Sequence, residues 1–140
     1  MARFITILED DTARSSSMFE LLADRLPEYE PLVFRRAREM IKWLEANLDE
    51  VALISLDHDL GPSEESGGMM VDPGNGRDVV EALTDHLPAC PVVIHSSNGP
   101  AVVGMQLALG EASWTHKRVV PIDGLTWIDA EWIETCQKVL

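Results

Sequence analysis

The segment LDHDLG, residues 56–61, places a histidine between two aspartates at the end of an apolar run. Aspartate carboxylates bind hard divalent cations, and a carboxylate can attack phosphorus when a cation draws charge from the phosphoryl oxygens. Histidine is suited to proton transfer near neutral pH. Asp57, His58 and Asp59 are therefore candidates for a metal site or for a nucleophile with a neighbouring acid–base group. A solvent-exposed turn would accommodate the same three residues.

Polar residues also follow the first and fourth apolar runs of the chain: Glu9, Asp10, His95, Ser96 and Ser97. In an open α/β sheet, ligands collect at the carboxyl ends of the strands, near the point where the strand order reverses. Carboxylates from Glu9, Asp10 and Asp57 would repel one another there unless a cation neutralised them. The alternative is that each acid is an ordinary turn residue. Taken together, the acids predict a site for Mg²⁺ or Mn²⁺, with room for a phosphate.

The elements that must position these residues alternate between two periodicities. Five short apolar runs are typical of buried strands: Ile5–Leu8, Pro31–Phe34, Val51–Leu56, Pro91–Ile94 and Arg118–Ile122. Helical patterns follow each of them, and Asp129 is expected to cap the final helix. Five strand–helix units with short connections predict a parallel sheet covered by helices on both faces. We expect one domain over residues 1–140, with one long loop at residues 61–76 that lines the site.

The composition narrows the range of partners. The chain has 140 residues and a formal net charge of −13, from 24 acidic and 11 basic side chains. This charge argues against binding a long nucleic acid through its phosphates, whereas a divalent cation would still allow a phosphorylated small molecule or a nucleic-acid end to bind. No apolar run reaches the roughly 18 residues of a membrane span, so we expect no membrane partner. Cys90 and Cys136 lie among apolar residues and are expected to be reduced, as in a cytoplasmic protein.

Several segments together resemble the receiver domains of response regulators. ITILEDDTAR resembles their first strand and acidic pair, VALISLDHDLG the strand that ends in the phosphoacceptor aspartate, and PVVIHSS the fourth strand. LDHDLG, GNGRDVV and IHSSNGPAVVGM are similar to a divergent receiver group that has been proposed to process cyclic phosphates. The resemblance extends through nearly the whole chain. It implies a single doubly wound, flavodoxin-like α/β fold with a five-stranded parallel sheet of order 2-1-3-4-5.

The resemblance also implies roles for individual residues. Asp57 would be the nucleophilic carboxylate that accepts the phosphoryl group. Glu9, Asp10 and Asp57, with the backbone carbonyl of Asp59, would bind the metal, and Ser96 would contact the phosphoryl oxygens. A histidine kinase or a phosphotransfer protein would then be the partner, and a homodimer is a further arrangement compatible with the resemblance.

The fifth strand departs from the receiver pattern. Receivers usually have a lysine immediately before a proline at the end of this strand, where the ammonium group pairs with the phosphoryl group. Here Val120 precedes Pro121, and Lys117 would replace the missing lysine only if the chain shifted register. Ser97 and Asn98 are further candidate phosphate contacts, although Asn98 is also placed to cap a helix that begins near residue 100.

The two histidines near the site have two interpretations. His58 or His95 would protonate the oxygen that leaves when a cyclic phosphate is opened. Because side chains alternate along a strand, the structural alternative turns His58 away from Asp57 and His95 away from Ser96, so that both histidines lie on the opposite face of the sheet.

Three functional hypotheses follow. The first is a metal-dependent phosphoryl-processing enzyme, a phosphohydrolase or cyclic phosphodiesterase built on a receiver scaffold. The absence of the usual lysine, the added histidines and the long loop favour it. The second is a stand-alone receiver that is phosphorylated on Asp57 in a phosphorelay, which the retained acids and Ser96 favour. The third is a degenerate receiver that serves only as an interaction module.

Overall fold

The computed structural model describes residues 2–61, 63–64 and 68–140. Its strands are β1 (Phe4–Leu8), β2 (Glu30–Phe34), β3 (Val51–Leu56), β4 (Ser63–Glu64), β5 (Met70–Val71), β6 (Val92–His95) and β7 (His116–Val119). Its helices are α1 (Thr12–Arg25), α2 (Ala37–Asn47), α3 (Gly76–Leu83), α4 (Gly99–Glu111) and α5 (Ile133–Val139), with a 3₁₀ turn at Leu48–Glu50 and a π-helical turn at Ile128–Trp132. In the described part of the chain, no helix combines the length and the apolar character that a membrane span requires.

Five of the strands form one parallel sheet in the order β2-β1-β3-β6-β7. Counting only these five strands, the order is 2-1-3-4-5, so the predicted doubly wound fold is confirmed. Parallel neighbours need long crossover connections, and the helices supply them. The strand order reverses between β1 and β3, so the connections that follow them pass to opposite faces of the sheet and leave a crevice at its carboxyl edge.

Two apolar layers cover the two faces of the sheet. Leu56 and Ile94 pack with α2, α3 and α4 on one face. Leu53 and Val93 pack with α1 and α5 on the other face. Because side chains alternate along a strand, every second residue of β3 and β6 points towards α1 and α5. This alternation decides which polar residues at the strand ends lie on the same face and contact one another.

The fifth strand of the sheet was predicted two or three residues too late. The apolar run predicted a strand at Arg118–Ile122, whereas β7 is His116–Val119 and, among the described strands, pairs only with β6. As an edge strand it needs few buried side chains, and among its four residues Val119 alone is fully buried. Pro121 has no N–H to continue a ladder, and Ile122 is exposed.

The predicted cap of the last helix was wrong. Asp129 lies inside the π-helical turn, which runs directly into α5. The N–H of Trp132 donates to the carbonyl of Trp127 at 3.0 Å, five residues earlier, and both indoles are buried beneath the sheet. The two tryptophans, rather than a capping carboxylate, determine how the chain enters this helix.

The long loop predicted at residues 61–76 contains a two-stranded antiparallel ladder of β4 and β5. Residues 62 and 65–67 of that loop lie outside the described residues. At its end, the N–H of Gly76 donates to the carbonyl of His58 at 3.0 Å. A Cβ on Gly76 would lie 2.1 Å from the carbonyl oxygen of Asp57, so only glycine allows α3 to begin against the end of β3.

Candidate functional site

Three buried side chains meet at the carboxyl ends of β1, β3 and β6. Glu9, Asp57 and His95 are 1%, 7% and 0% exposed, and each offers one ligand atom within 4.8 Å of the other two. All three side chains point towards α1 and α5. Each continues the alternation of the strand before it, in which every second side chain faces these two helices. The structure thus brings together two of the predicted metal-binding acids and one of the predicted catalytic histidines.

Glu9 and His95 lie close together without forming a hydrogen bond. His95 Nε2 lies 3.2 Å from Glu9 Oε1, yet neither atom has a hydrogen-bond partner of acceptable geometry among the described residues. The other oxygen of Glu9 accepts the N–H of Asp11 at 3.1 Å. Burial by itself would raise the pKa of Glu9, but the contact with His95, the Asp11 N–H and the charge of Arg14 hold it below its ordinary value. Glu9 is therefore a buried carboxylate that stays charged.

Asp57 behaves in the opposite way. Burial raises the pKa of Asp57 to about 6, and the negative charge of Glu9 acts in the same direction. His95, the N–H of His58 at 2.7 Å and Arg14 counteract this rise only in part. Two adjacent buried carboxylates are thus costly to ionise together, which is the electrostatic condition that a bound cation relieves.

A buried chain of hydrogen bonds supports the inner histidine. Ser55 Oγ lies 2.7 Å from His95 Nδ1 and accepts the indole N–H of Trp132 at 3.0 Å. The ring of Trp127 stacks against His95 with 6.1 Å between the ring centroids. Ser55 and the two tryptophans were not predicted as site residues. The sequence could have indicated Ser55, because it is a polar residue in an otherwise apolar strand. It lies two positions before Asp57, so the two side chains are on the same face of the sheet.

A cation from α1 faces the acids. Arg14 Nη1 lies 3.8 Å from Glu9 Oε1, and the guanidinium carbon is 5.5 Å from the ring centroid of Trp127. Its backbone N–H donates to the helix-capping Asp11 at 2.9 Å, so the helix start fixes its position. Arg14 was also not predicted. It supplies a positive charge in a site where Val120, directly after the fifth strand of the sheet, stands in the place of the lysine of receivers.

The lysine proposed as a substitute lies elsewhere. Lys117 is exposed in the middle of β7, where it is the register partner of Val93, two residues before His95. Its neighbour Arg118 reaches the site edge and donates from Nη2 to the carbonyl of Ser96 at 3.1 Å. Among the described residues, Lys117 forms no hydrogen bond or ion pair with the buried acids.

His58, Asp59 and Asn98 form a second group at the rim of the site. His58 Nδ1 donates to Asp59 Oδ1 at 2.9 Å, and Asn98 Nδ2 donates to Asp59 Oδ2 at 3.1 Å. The hydrogen bond from His58 is the main reason that the pKa of Asp59 is lowered. Asn98 Oδ1 also accepts the N–H of Ala101 at 3.2 Å and so caps α4. Asn98 therefore caps α4, as predicted, and also contacts Asp59, whereas its contact with a phosphate stays a prediction.

The remaining predicted site residues surround these two groups. Asp10 is half-buried, and its Oδ2 accepts the N–H of Gly61 at 2.6 Å, outside the cluster of three ligand atoms. Ser96 is buried, with Oγ accepting the N–H of Asn98 at 3.1 Å, whereas Ser97 is exposed.

The alternation argument for the histidines needs one correction. His95 does point to the face opposite Ser96, as expected for consecutive strand residues. That face, however, is the one that carries Glu9 and Asp57, so turning away from Ser96 brings His95 into the acidic cluster. His58 and His95 have different partners. His58 lies at the rim and contacts Asp59, whereas His95 is buried and contacts Ser55.

Comparison with known proteins agrees with this architecture. The profile of the family described as "Cyclic-phosphate processing Receiver domain" matches residues 5–111. No curated protein matches the sequence. Among solved structures, the phosphorylated cyanobacterial phytochrome response regulator RcpA is similar, with a TM-score of 0.73, 18% identity and coverage of 99% of this chain and 93% of the other.

Two further solved structures share the fold. The Mn²⁺-bound form of response regulator Rcp1 has a TM-score of 0.66 and 19% identity, over 95% of this chain and 92% of the other. The response regulator domain of Thermotoga maritima CheB has a TM-score of 0.68 and 14% identity, over 99% and 96%. The family match spans most of the chain, and the fold, the strand order and the acids at the strand ends agree with it. This chain belongs to the family of cyclic-phosphate processing receiver domains.

Proposed function

We propose that this receiver domain carries out divalent-metal-dependent phosphoryl chemistry centred on Asp57, and that it opens or hydrolyses cyclic phosphates. The observation that carries the proposal is the pairing of a buried Glu9–Asp57–His95 cluster with a rim dyad of His58 and Asp59. The first group is suited to bind a cation beside a nucleophile. The second is suited to transfer a proton.

The buried cluster fits a divalent cation. Within the described part of the chain, Glu9 Oε1 and His95 Nε2 are buried without hydrogen bonds, and the raised pKa of Asp57 reflects burial next to another carboxylate. Glu9 and Asp57 would hold Mg²⁺ or Mn²⁺, with Asp10 and the carbonyl of Asp59 as the further predicted ligands. The bound ion would draw charge from phosphoryl oxygens and favour ionised Asp57. The similar regulator Rcp1 was solved in an Mn²⁺-bound form, which supports the choice of metal.

The reaction would proceed in two steps. In the first, a carboxylate oxygen of Asp57 bonds to phosphorus, the bond from phosphorus to one ring oxygen breaks, and His58 donates a proton to that oxygen. In the second, water attacks phosphorus, the bond to Asp57 breaks, and His58 takes the proton released by the water. The net change is one water consumed and a cyclic phosphate converted to a monoester. Asp59 accepts a hydrogen bond from Nδ1–H of His58 and so leaves Nε2 for the proton transfer.

Other residues would bind the phosphate. Ser96 keeps its predicted contact with the phosphoryl oxygens, and Ser97 and Asn98 begin the turn beside it. Arg14, which already lies next to Glu9, supplies the positive charge that Lys117 was expected to bring. Guanidinium groups suit this task because they donate several parallel hydrogen bonds to phosphate oxygens.

Hydrolysis of a 2′,3′-cyclic nucleotide with Mg²⁺ or Mn²⁺, followed by ³¹P NMR, tests the proposal. Wild-type protein should produce a monoester, and Asp57→Asn should abolish turnover. His58→Asn should lower kcat by about 10²- to 10⁴-fold, the usual contribution of a general acid. His86→Asn, at an exposed histidine outside the site, is the matched control and should leave kcat unchanged. Absence of turnover with any cyclic phosphate would overturn the proposal.

A stand-alone receiver that is phosphorylated on Asp57 by a histidine kinase or phosphotransfer protein is the second candidate. The buried Asp57 and Ser96, which follow the neighbouring strands β3 and β6, favour it, and the similar RcpA was solved in a phosphorylated form. A small-molecule phosphodonor plus Mg²⁺ would then give an adduct that is base-labile, long-lived and accompanied by dimerisation. The weaker candidate, a receiver kept as an interaction module, predicts neither metal binding nor an adduct.

A further inference from the structure

We infer that the metal in this site is bound by a nitrogen as well as by carboxylates, with His95 Nε2 as a ligand, and that the site therefore takes a transition-metal ion such as Mn²⁺ or Co²⁺ in preference to Mg²⁺. The inference deepens the proposed function and rests on its metal site. Nothing in the sequence pattern of strand-end acids implies it, because that pattern predicts an all-oxygen site.

The first support is the state of the imidazole nitrogen. His95 is completely buried, and its Nε2 has no hydrogen bond among the described residues. Oε1 of Glu9, only 3.2 Å away, is likewise buried and lacks a hydrogen bond. Buried polar atoms are rarely left without partners, because each costs the energy of its lost hydration. A cation bound by both atoms would satisfy them together.

The second support is the orientation of the imidazole. Ser55 Oγ receives the indole N–H of Trp132 and can accept a second hydrogen bond, from His95 Nδ1–H, through its other lone pair. That tautomer leaves the lone pair of Nε2 free. The opposite tautomer would place a proton on Nε2 that does not point at Glu9 Oε1, and a buried N–H would lose its partner. Histidine ligands of metals usually donate their second N–H in this way, which fixes the ring.

The third support is the geometry and type of the donor set. The ligand atoms of Glu9, Asp57 and His95 lie within 4.8 Å of one another. Nitrogen and oxygen ligands lie about 2.0–2.2 Å from a transition-metal ion, so small side-chain rotations would bring all three into one coordination sphere. Imidazole suits transition metals, whereas Mg²⁺ prefers oxygen ligands and gives up water reluctantly. Two carboxylates with one imidazole therefore favour Co²⁺ and Mn²⁺ over Mg²⁺.

Pulsed electron paramagnetic resonance of the Mn²⁺-loaded wild-type chain tests the ligand directly, without requiring turnover. Coupling to a ¹⁴N nucleus is expected, and it should disappear in His95→Asn and persist in His58→Asn, the matched control at the other site histidine. Calorimetric titration of the metal-free protein should give affinities in the order Co²⁺ over Mn²⁺ over Mg²⁺. Loss of an outer-shell partner of a metal ligand typically lowers metal affinity by roughly 10- to 100-fold. His95→Asn removes a ligand itself, so it should lower Mn²⁺ affinity by at least this factor and change Mg²⁺ affinity little.

Ser55→Ala provides a second variant, because a substitution of fully buried His95 risks the fold. It removes the support of His95 Nδ1 but no ligand, and is expected to weaken Mn²⁺ binding by about 10- to 100-fold while the nitrogen coupling remains. Mn²⁺ binding without ¹⁴N coupling in the wild-type protein would overturn the inference and leave the proposed function to an all-oxygen site. Absence of any divalent-metal binding would overturn both.

Discussion

Replacing Asp57 by asparagine is expected to stabilise the metal-free protein at neutral pH. Burial raises the pKa of Asp57 from its ordinary value of 3.8 to about 6, with the charge of Glu9 acting in the same direction. This difference corresponds to about 3 kcal/mol at pH 7.5, since one pH unit in a pKa is worth about 1.4 kcal/mol. Ionised Asp57 lowers the free energy of unfolding by that amount. Asparagine removes the penalty and can still accept the N–H of His58.

The pH dependence of this effect has a defined sign. Between pH 3.8 and about 6, the native state binds more protons at Asp57 than the unfolded chain does, so the stability contributed by this group falls as the pH rises. The advantage of Asp57→Asn should shrink from about 3 kcal/mol at pH 7.5 to about 1 kcal/mol at pH 4.5. Urea denaturation in EDTA, followed by fluorescence of buried Trp127 and Trp132, measures both values.

Asp59→Asn is the matched control with the opposite sign. The pKa of Asp59 is lowered, mainly by the hydrogen bond from His58, so its loss should slightly reduce stability above the ordinary pKa of an aspartate. Added Mn²⁺ should raise the unfolding midpoint of the wild-type protein but not that of Asp57→Asn, because binding to the native state alone shifts the equilibrium. An Asp57→Asn protein that is less stable than wild type at pH 7.5, or a difference that does not vary with pH, would refute the electrostatic reasoning.

Three further substitutions test separate parts of the account. Gly76→Ala should weaken calorimetric Mn²⁺ binding and lower the urea midpoint, because its Cβ would lie 2.1 Å from the Asp57 carbonyl oxygen; wild-type values for both would contradict the packing. Asn98→Ala should cost about 1 kcal/mol in urea denaturation through the lost cap of α4, and Asn98→Ser, a neutral residue that also caps helices, should restore part of it; equal stability of all three proteins would exclude the cap. Arg14→Gln should weaken binding of inorganic phosphate to the metal-loaded protein in a calorimetric titration, with Arg14→Lys retaining part of the affinity; unchanged phosphate affinity would remove Arg14 from the site.

The strand order and the acids could be predicted because their signals are local. Val51–Leu56 is apolar except for Ser55 and nearly all buried, so its end at Asp57 can be located to the residue. β7 lacks such a signal, since an edge strand buries little, and the apolar run that follows it was mistaken for the strand. The same limit applies to Asp129, whose capping pattern was overridden by the packing of Trp127 and Trp132.

The partners within the site could not be predicted, because they depend on contacts between distant elements. Ser55 meets His95 across 40 residues of sequence and Trp132 across 77. Alternation along β6 correctly separates His95 from Ser96, but it does not say which face carries the acids. Only the three-dimensional structure, with α1 and α5 on the face of the acids, shows this. His95, which alternation alone suggested was structural, is therefore a candidate metal ligand.

Trapping the covalent state of Asp57 tests the central claim most directly. The protein is incubated with a cyclic phosphate and Mn²⁺, quenched with borohydride, which reduces an acyl phosphate to homoserine, and analysed by peptide mass spectrometry. The account predicts reduction at residue 57 in the wild-type chain, none without a divalent metal, and none in Asp57→Asn. Turnover of the cyclic phosphate with Asp57 always unmodified, or a covalent adduct on another residue, would contradict it.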